Sequence, residues 1–210
     1  MLGGFFSKSL IQRQLSSVHN YRLGATSRPE VAEDVALRRM VCCLLVASLA
    51  GAAHAAAPTP EKSVDMDQFV GRWYEILRTP NDQQKNCFGA YQVWTRRASD
   101  YAIRQVCHRD APDGRESVIN TSAKAINAQN TEFEASFFGG LIRARYWVTD
   151  HADDYSWMIA TTEDGLYPKL MARTPSLSSA ERTALKQRMA RLGFATDALQ
   201  AVDASTAASR

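Results

Sequence analysis

Between residues 73 and 173 the chain alternates short β-forming runs with turn signals, and this rhythm constrains the fold more than any other feature. The runs cover residues 73–78, 88–95, 101–106, 117–126, 132–137, 145–149, 157–161 and 169–173. Pro112-Asp113-Gly114, Asn127-Ala128-Gln129-Asn130, Gly139-Gly140 and Glu163-Asp164-Gly165 punctuate them. These residue types favour turns because they tolerate left-handed backbone or bond to their own main chain. About eight strands at such spacing point to a sandwich or barrel rather than a βαβ fold. Their edges must be hidden, and closing the sheet removes them. The expected fold class is all-β, an eight-stranded antiparallel up-and-down β-barrel. Such an interior is just wide enough for side chains or one small ligand.

A single helix follows the strands. Ser178-x-x-Glu181 is a capping box, in which each side chain satisfies a backbone N–H of the other residue. Leu185, Met189 and Leu192 recur at i, i+4 and i+7 and form one apolar face. Arg188 and Arg191 suit the C-terminal end of the helix dipole, and Gly193 suits the position just past it. Arg182, Lys186 and Arg191 form a solvated face. The helix is expected to pack on the outside of the sheet.

Residues 35–55 read as a secretory signal peptide. Arg38-Arg39 is the basic start, residues 41–50 are the apolar run, and Ala53-His54-Ala55 is the small-x-small cleavage site. The span is too short for a transmembrane helix. No cysteine follows the apolar run near Ala55, so no lipid anchor is expected. Residues 1–34 precede a segment that should begin a chain. Two explanations stand: a start at Val35 through an alternative codon, or a real extension, with Ser and Arg recurring and acids absent over residues 7–28. The expected layout is an extension or mis-assigned start at 1–34, signal peptide at 35–55, linker at 56–64, barrel at 65–203 and a disordered tail at 204–210.

The formal charge of +3 invites a nucleic-acid partner, but position removes it. Lys8, Arg13, Arg22, Arg28, Arg38 and Arg39 precede the cleavage site, as do Glu30, Glu33 and Asp34. Of 25 basic and 22 acidic residues, 19 of each remain, and no basic footprint for a polyanion survives.

Cleavage also removes Cys42 and Cys43, leaving Cys87 and Cys107. An even pair in an exported protein suggests a disulfide. The two flank a pair of apparent strands joined by a polar turn around residues 96–100, and a hairpin brings its outer ends within bridging reach. Two free buried thiols are the alternative.

Three blocks then point to a family. They are Gly71-Arg72-Trp73-Tyr74-Glu75-Ile76 with Arg78-x-Pro80-Asn81, then Tyr146-Trp147-Val148-Thr149-Asp150 running into Asp154-Tyr155, and finally Ala172-Arg173-Thr174-Pro175 before the helix. In this order and spacing they resemble the lipocalins, and Ser136-Phe137-Phe138-Gly139 is similar to the bacterial and apolipoprotein D-like branch. The resemblance implies that Gly71 and Trp73 open the first strand at the barrel floor. It implies that Arg173 lies across Trp73, and that the loop from Asp150 to Tyr155 sits at the same closed end. It departs from the pattern at Tyr167-Pro168-Lys169, where related bacterial sequences read Tyr-Leu-Trp, and at Met158, where a smaller residue is common. Pro168 removes a ladder donor, so that strand should start late or sit at an edge. Met158 would narrow the cavity.

If Trp73 faces inward, alternation sends Glu75 and Leu77 inward as well. A buried glutamate is costly unless paired. Glu75 would therefore either orient a ligand head group or bond to an interior Tyr or Arg. Tyr91, Phe137, Tyr146 and Trp157 are the other candidate cavity residues. Tyr146 and Val148 should share one face, as should Tyr155, Trp157 and Ile159. Packing in the core or against the helix is the alternative for each.

The resemblance implies an exported carrier of a fatty acid, lysophospholipid or similar hydrophobe, in the periplasm or associated with the outer membrane, serving transport, storage or envelope maintenance. No catalytic residue, metal or cofactor is expected. Peripheral contact with membrane lipid stays open, as does the choice of monomer or dimer. The main rival is an enzyme on the same fold. One type of such enzyme uses a pocket cysteine, which a Cys87–Cys107 bridge would consume. His108 and His151 are expected on the surface, with no ligand partner at metal spacing. A structural barrel with a filled interior and an outer-membrane barrel are further alternatives. The capped helix argues against the outer-membrane barrel.

Overall fold

Alternating apolar and polar residues build eight strands in the computed structural model, which describes residues 56–204. They are β1 (Gly71–Arg78), β2 (Cys87–Arg96), β3 (Tyr101–Arg109), β4 (Glu116–Ala125), β5 (Glu132–Phe137), β6 (Ile142–His151), β7 (Trp157–Thr162) and β8 (Lys169–Ala172). Their ends fall within three residues of those expected from the sequence. Strand β8 begins only after Pro168. A one-turn helix α1 (Met66–Phe69), the helix α2 (Ser179–Arg191) and a two-residue strand β9 (Gln200–Ala201) complete the fold.

The strands hydrogen-bond in the order β2-β3-β4-β5-β6-β7-β8-β1, and β1 pairs again with β2 to close the barrel. Tyr74 marks the closure, opposite Tyr91 on one side and Ala172 on the other. Residues Trp73 to Arg78 are all buried. The inner face of β1 meets the barrel core, while its outer face lies in the cluster that includes Leu185 and Met189 of α2.

Helix α2 has both hydrogen bonds of its capping box. Ser178 Oγ accepts from Glu181 N at 3.2 Å, and Ser178 N donates to Glu181 Oε2 at 2.8 Å. The Asp150 carboxylate ties the helix to β6 by accepting from Arg188, with Nη2 at 3.2 Å from Oδ1, and it raises the guanidinium pKa above its ordinary value.

Residues 56–64, read from sequence as a linker, bond along the barrel wall. Ala57 N donates to Glu163 O at 3.2 Å and Val64 N to Gln129 O at 2.8 Å. Lys62 Nζ reaches Asp153 Oδ1 at 2.7 Å. Ala204, the last described residue, is buried, and the proposed extension 1–34, the signal peptide 35–55 and residues 205–210 lie outside the described residues.

Cys87 and Cys107 form a disulfide with Cα atoms 5.5 Å apart, joining the outer ends of the β2–β3 hairpin. The bridged residues are 20 apart in sequence, so the chain-entropy model gives about 3 kcal/mol of stabilisation. Cys87→Ser/Cys107→Ser should therefore unfold in urea with about 3 kcal/mol less stability than the oxidised parent, and match the parent under reducing conditions. Equal midpoints for parent and variant without reductant would show that the bridge contributes nothing.

Candidate functional site

Trp73 closes one end of the barrel and is fully buried. Its indole Nε1 donates to Phe69 O at 2.8 Å, so α1 lies under the floor as a lid held by the plug. The Arg173 guanidinium stacks on the indole with its carbon 3.7 Å from the ring centroid. It donates to Arg72 O at 2.8 Å, Gln68 O at 2.5 Å and Phe69 O at 2.9 Å, which satisfies carbonyls that the end of α1 leaves open. Burial pushes this guanidinium below its ordinary pKa. Gly71 has φ +106°, and a Cβ there would sit 3.3 Å from the Arg173 Nη1, so both backbone and space call for glycine. Tyr155 reaches the same end, its hydroxyl accepting from Asp65 N at 2.7 Å.

Above the floor lies an internal cavity. Phe69, Trp94, Phe133, Tyr146, Met158 and Met171 give it apolar walls, and Gln92, Gln105 and Lys169 add polar groups. Phe69 lies edge-on to Trp94 with ring centroids 5.1 Å apart, and Trp94 lies 5.3 Å from Phe133. The cavity's free volume is about 60 Å³, so it is narrow. Met158 and Met171 are paired neighbours on β7 and β8, and both line the cavity.

The open end carries a charged cluster. Glu75 is 2% exposed and opposes Met171 across the β1–β8 pair. Its Oε2 accepts from Arg78 Nη1 at 3.1 Å and from Gln84 Nε2 at 2.9 Å. Arg78 also donates to Cys87 O at 2.6 Å and Gln84 O at 3.3 Å. A 3-10 turn at Asp82–Gln84 delivers Gln84, and Asn81 caps that turn by accepting from Gln84 N at 3.0 Å. Lys169 stands next to Arg78 in the β1–β8 register, with its ammonium 3.8 Å from Glu75 Oε1.

The sequence-expected residues divide between the two faces. Tyr146 lines the cavity, Phe137 packs against the inner core, and Glu75 is buried and bonded to an arginine. Leu77 is not inward: it joins the outer cluster under α2. A β-bulge between Glu75 and Leu77 adds a residue, so Ile76 and Leu77 both face out and Arg78 turns in. Tyr91 also faces out. It pairs with Tyr74 while Trp73 pairs with Gln92, so an inward Trp73 sends Tyr91 to the outer surface, where Arg72 stacks 4.6 Å from its ring. Trp157 packs outside as well, lining a surface groove between α2 and the wall. It does not share a face with Tyr155, because Tyr155 has φ +55° and the turn there reverses the alternation. His108 and His151 are buried, at 1% and 5% exposure, rather than on the surface. His108 sits 3.8 Å from Glu116, and His151 stacks on Tyr155 with ring centroids 4.6 Å apart.

Sequence reasoning passed over Arg78, Gln84 and Lys169. The signals in the sequence are Arg78-x-Pro80-Asn81 and the departure at Lys169. Among the described residues no group of three or more His, Cys, Asp or Glu side chains is placed to hold a metal ion.

A family model described as a lipocalin-like domain matches residues 64–204. The chain belongs to the lipocalin family. Apolipoprotein D of Mus musculus is 28% identical over 102 residues, covering 47% of this chain and 51% of that protein. The Rattus norvegicus apolipoprotein D is 29% identical over 101 residues with the same coverage. This lipocalin thus matches about half the length of each relative. Among solved structures, insecticyanin from the tobacco hornworm Manduca sexta superposes with a TM-score of 0.57 at 9% identity, over 71% of this chain and 84% of that one. The cockroach allergen Per a 4 gives 0.54 at 16% identity, over 71% and 95%. Lobster apocrustacyanin A1 gives 0.51 at 12%, over 70% and 89%. At these identities the likeness is one of fold.

Proposed function

We propose that this lipocalin is an exported carrier that holds one small hydrophobic molecule, a fatty acid, lysophospholipid or similar, in the barrel. The observation that carries the reading is the internal cavity, walled by Trp94, Phe133, Met158 and Met171 and closed below by Trp73. Burial of an alkyl chain there contributes roughly 0.8 kcal/mol per methylene. A narrow bore favours a slender single chain over a broad ring system. Methionine side chains have three soft torsions, so Met158 and Met171 can move aside for a chain. The disulfide suits an oxidising compartment and supports export to the periplasm or outer-membrane surface. No helix among the described residues is long and apolar enough to cross a membrane.

Native mass spectrometry of the purified, delipidated protein titrated with oleate and with oleoyl-lysophosphatidylcholine tests the reading. One ligand per barrel is expected for at least one of them. The narrowness of the cavity favours one rival, a structural barrel with a filled interior. Failure of both chains to bind at concentrations below their micellar thresholds would support that rival and overturn the carrier.

A further inference from the structure

We infer that the cavity selects amphiphiles with an anionic head group, and that the Lys169 ammonium is the group that receives it. This inference rests on the carrier reading and specifies its ligand.

Three ionisable side chains, Glu75, Arg78 and Lys169, meet at the open end of the barrel, and Lys169 is the one that lines the cavity. Two are cations and one is an anion, so the cluster carries a surplus of one positive charge. That surplus does not sit on Arg78. Its guanidinium has three hydrogen bonds, to Glu75, Cys87 and Gln84, and its side chain is 9% exposed. Glu75 is engaged too, because one carboxylate oxygen takes both Arg78 and Gln84. Lys169 differs. Its closest charged contact among the described residues is Glu75 Oε1 at 3.8 Å, beyond hydrogen-bond length. An ammonium offers three donors and accepts nothing.

The position of Lys169 makes this charge relevant to a ligand. Across the sheet it pairs with Ala160, which pairs with Val148, and all three line the cavity. Strand β8 begins at Lys169, at the open end, while Trp94 and Phe133 lie toward the floor. A single-chain amphiphile therefore has one orientation that matches both ends: tail down among the aromatic rings, head group up at Lys169. A neutral head would displace water from the ammonium and return no charge, which is unfavourable in an apolar site. A cationic head would be repelled. An anionic head forms a charge-assisted hydrogen bond, whereas Glu75 Oε1, at 3.8 Å from the ammonium, is too far to take one.

A carboxylate and a phosphate monoester share this chemistry, and ligands of one chain length separate them. The delipidated full chain is titrated with oleate, with oleyl alcohol and with oleoyl-lysophosphatidic acid, reading displacement of a fluorescent apolar probe. At least one of the two anionic ligands should bind about tenfold or more tightly than oleyl alcohol, as expected for a hydrogen bond to a charged group. The tighter of the two identifies the source of the anion. Lys169→Met should remove the preference for the anionic ligands over oleyl alcohol, and Lys169→Arg should keep it. Both variants should retain the circular dichroism of the parent, since Glu75 keeps Arg78 and Gln84. Equal affinity for all three ligands in the parent, or an undiminished preference in Lys169→Met, would overturn the inference and leave the carrier intact. Failure of every chain to bind would remove the carrier reading, and this inference with it.

Discussion

Trp73→Ala is expected to lower the stability of the barrel by about 3–5 kcal/mol, the range for deleting a fully buried large aromatic side chain. The loss has three sources in this structure. A cavity opens under the floor, where Trp73 contacts Phe69 at a centroid distance of 5.4 Å. The hydrogen bond from Nε1 to Phe69 O disappears, which removes one of the ties between α1 and the barrel. Arg173 loses the surface on which it stacks, although its three carbonyl partners remain. For a domain of this size the melting temperature should fall by roughly 10–15 °C. Thermal denaturation followed by far-ultraviolet circular dichroism measures this. Trp73→Phe keeps most of the volume and should lose less than half as much. If Trp73→Ala melted within about 2 °C of the parent, the floor would not be a packed plug.

Arg78→Met is expected to destabilise by about 3 kcal/mol, the lower end for breaking a buried ion pair. The Glu75 carboxylate would stay in the interior with Gln84 as its near partner, and two backbone carbonyls would lose their donor. Lys169, at 3.8 Å, can move toward Glu75 and offset part of the cost, which is why the lower end applies. Removing both charges together should be milder. Glu75→Leu/Arg78→Met is expected to recover more than half of the loss, because apolar replacement of a buried pair is often close to neutral. Urea denaturation of the two variants and the parent completes the comparison. A single Arg78→Met loss below 1 kcal/mol would mean that water reaches the pair and screens it.

Much of the fold was legible because its signals are local. The capping box at Ser178 and Glu181 needs only four residues, and its hydrogen bonds are those expected. The hairpin between Cys87 and Cys107 needs only a turn between two strands, and the bridge follows from their opposite ends. The candidate site was legible only in part. Glu75 was recognised as a buried carboxylate in need of a partner, and a neighbouring arginine was one of the two readings. Leu77 was expected inside and Tyr91 and Trp157 were candidates for the interior with outward packing as the alternative, and all three stand on the outer face. Strand alternation predicts faces only while every residue is paired in step. The bulge after Glu75 and the left-handed Tyr155 each shift the count, and Tyr91 depends on which residue of β1 it meets.

The short strands, their turns, the capped helix and the cysteine hairpin are properties of neighbouring residues, and the chain by itself determined them. The sequence also determined that a glycine and a tryptophan begin the first strand. The tertiary structure alone decided that one extra residue in β1 would turn Arg78 into the barrel and Leu77 out of it, since a bulge exists only against a partner strand. By bringing β1 and β8 together, it also decided that Lys169, 94 positions from Glu75, would stand 3.8 Å from its carboxylate and line the cavity. Closure of a sheet sets such encounters, and no local pattern encodes them.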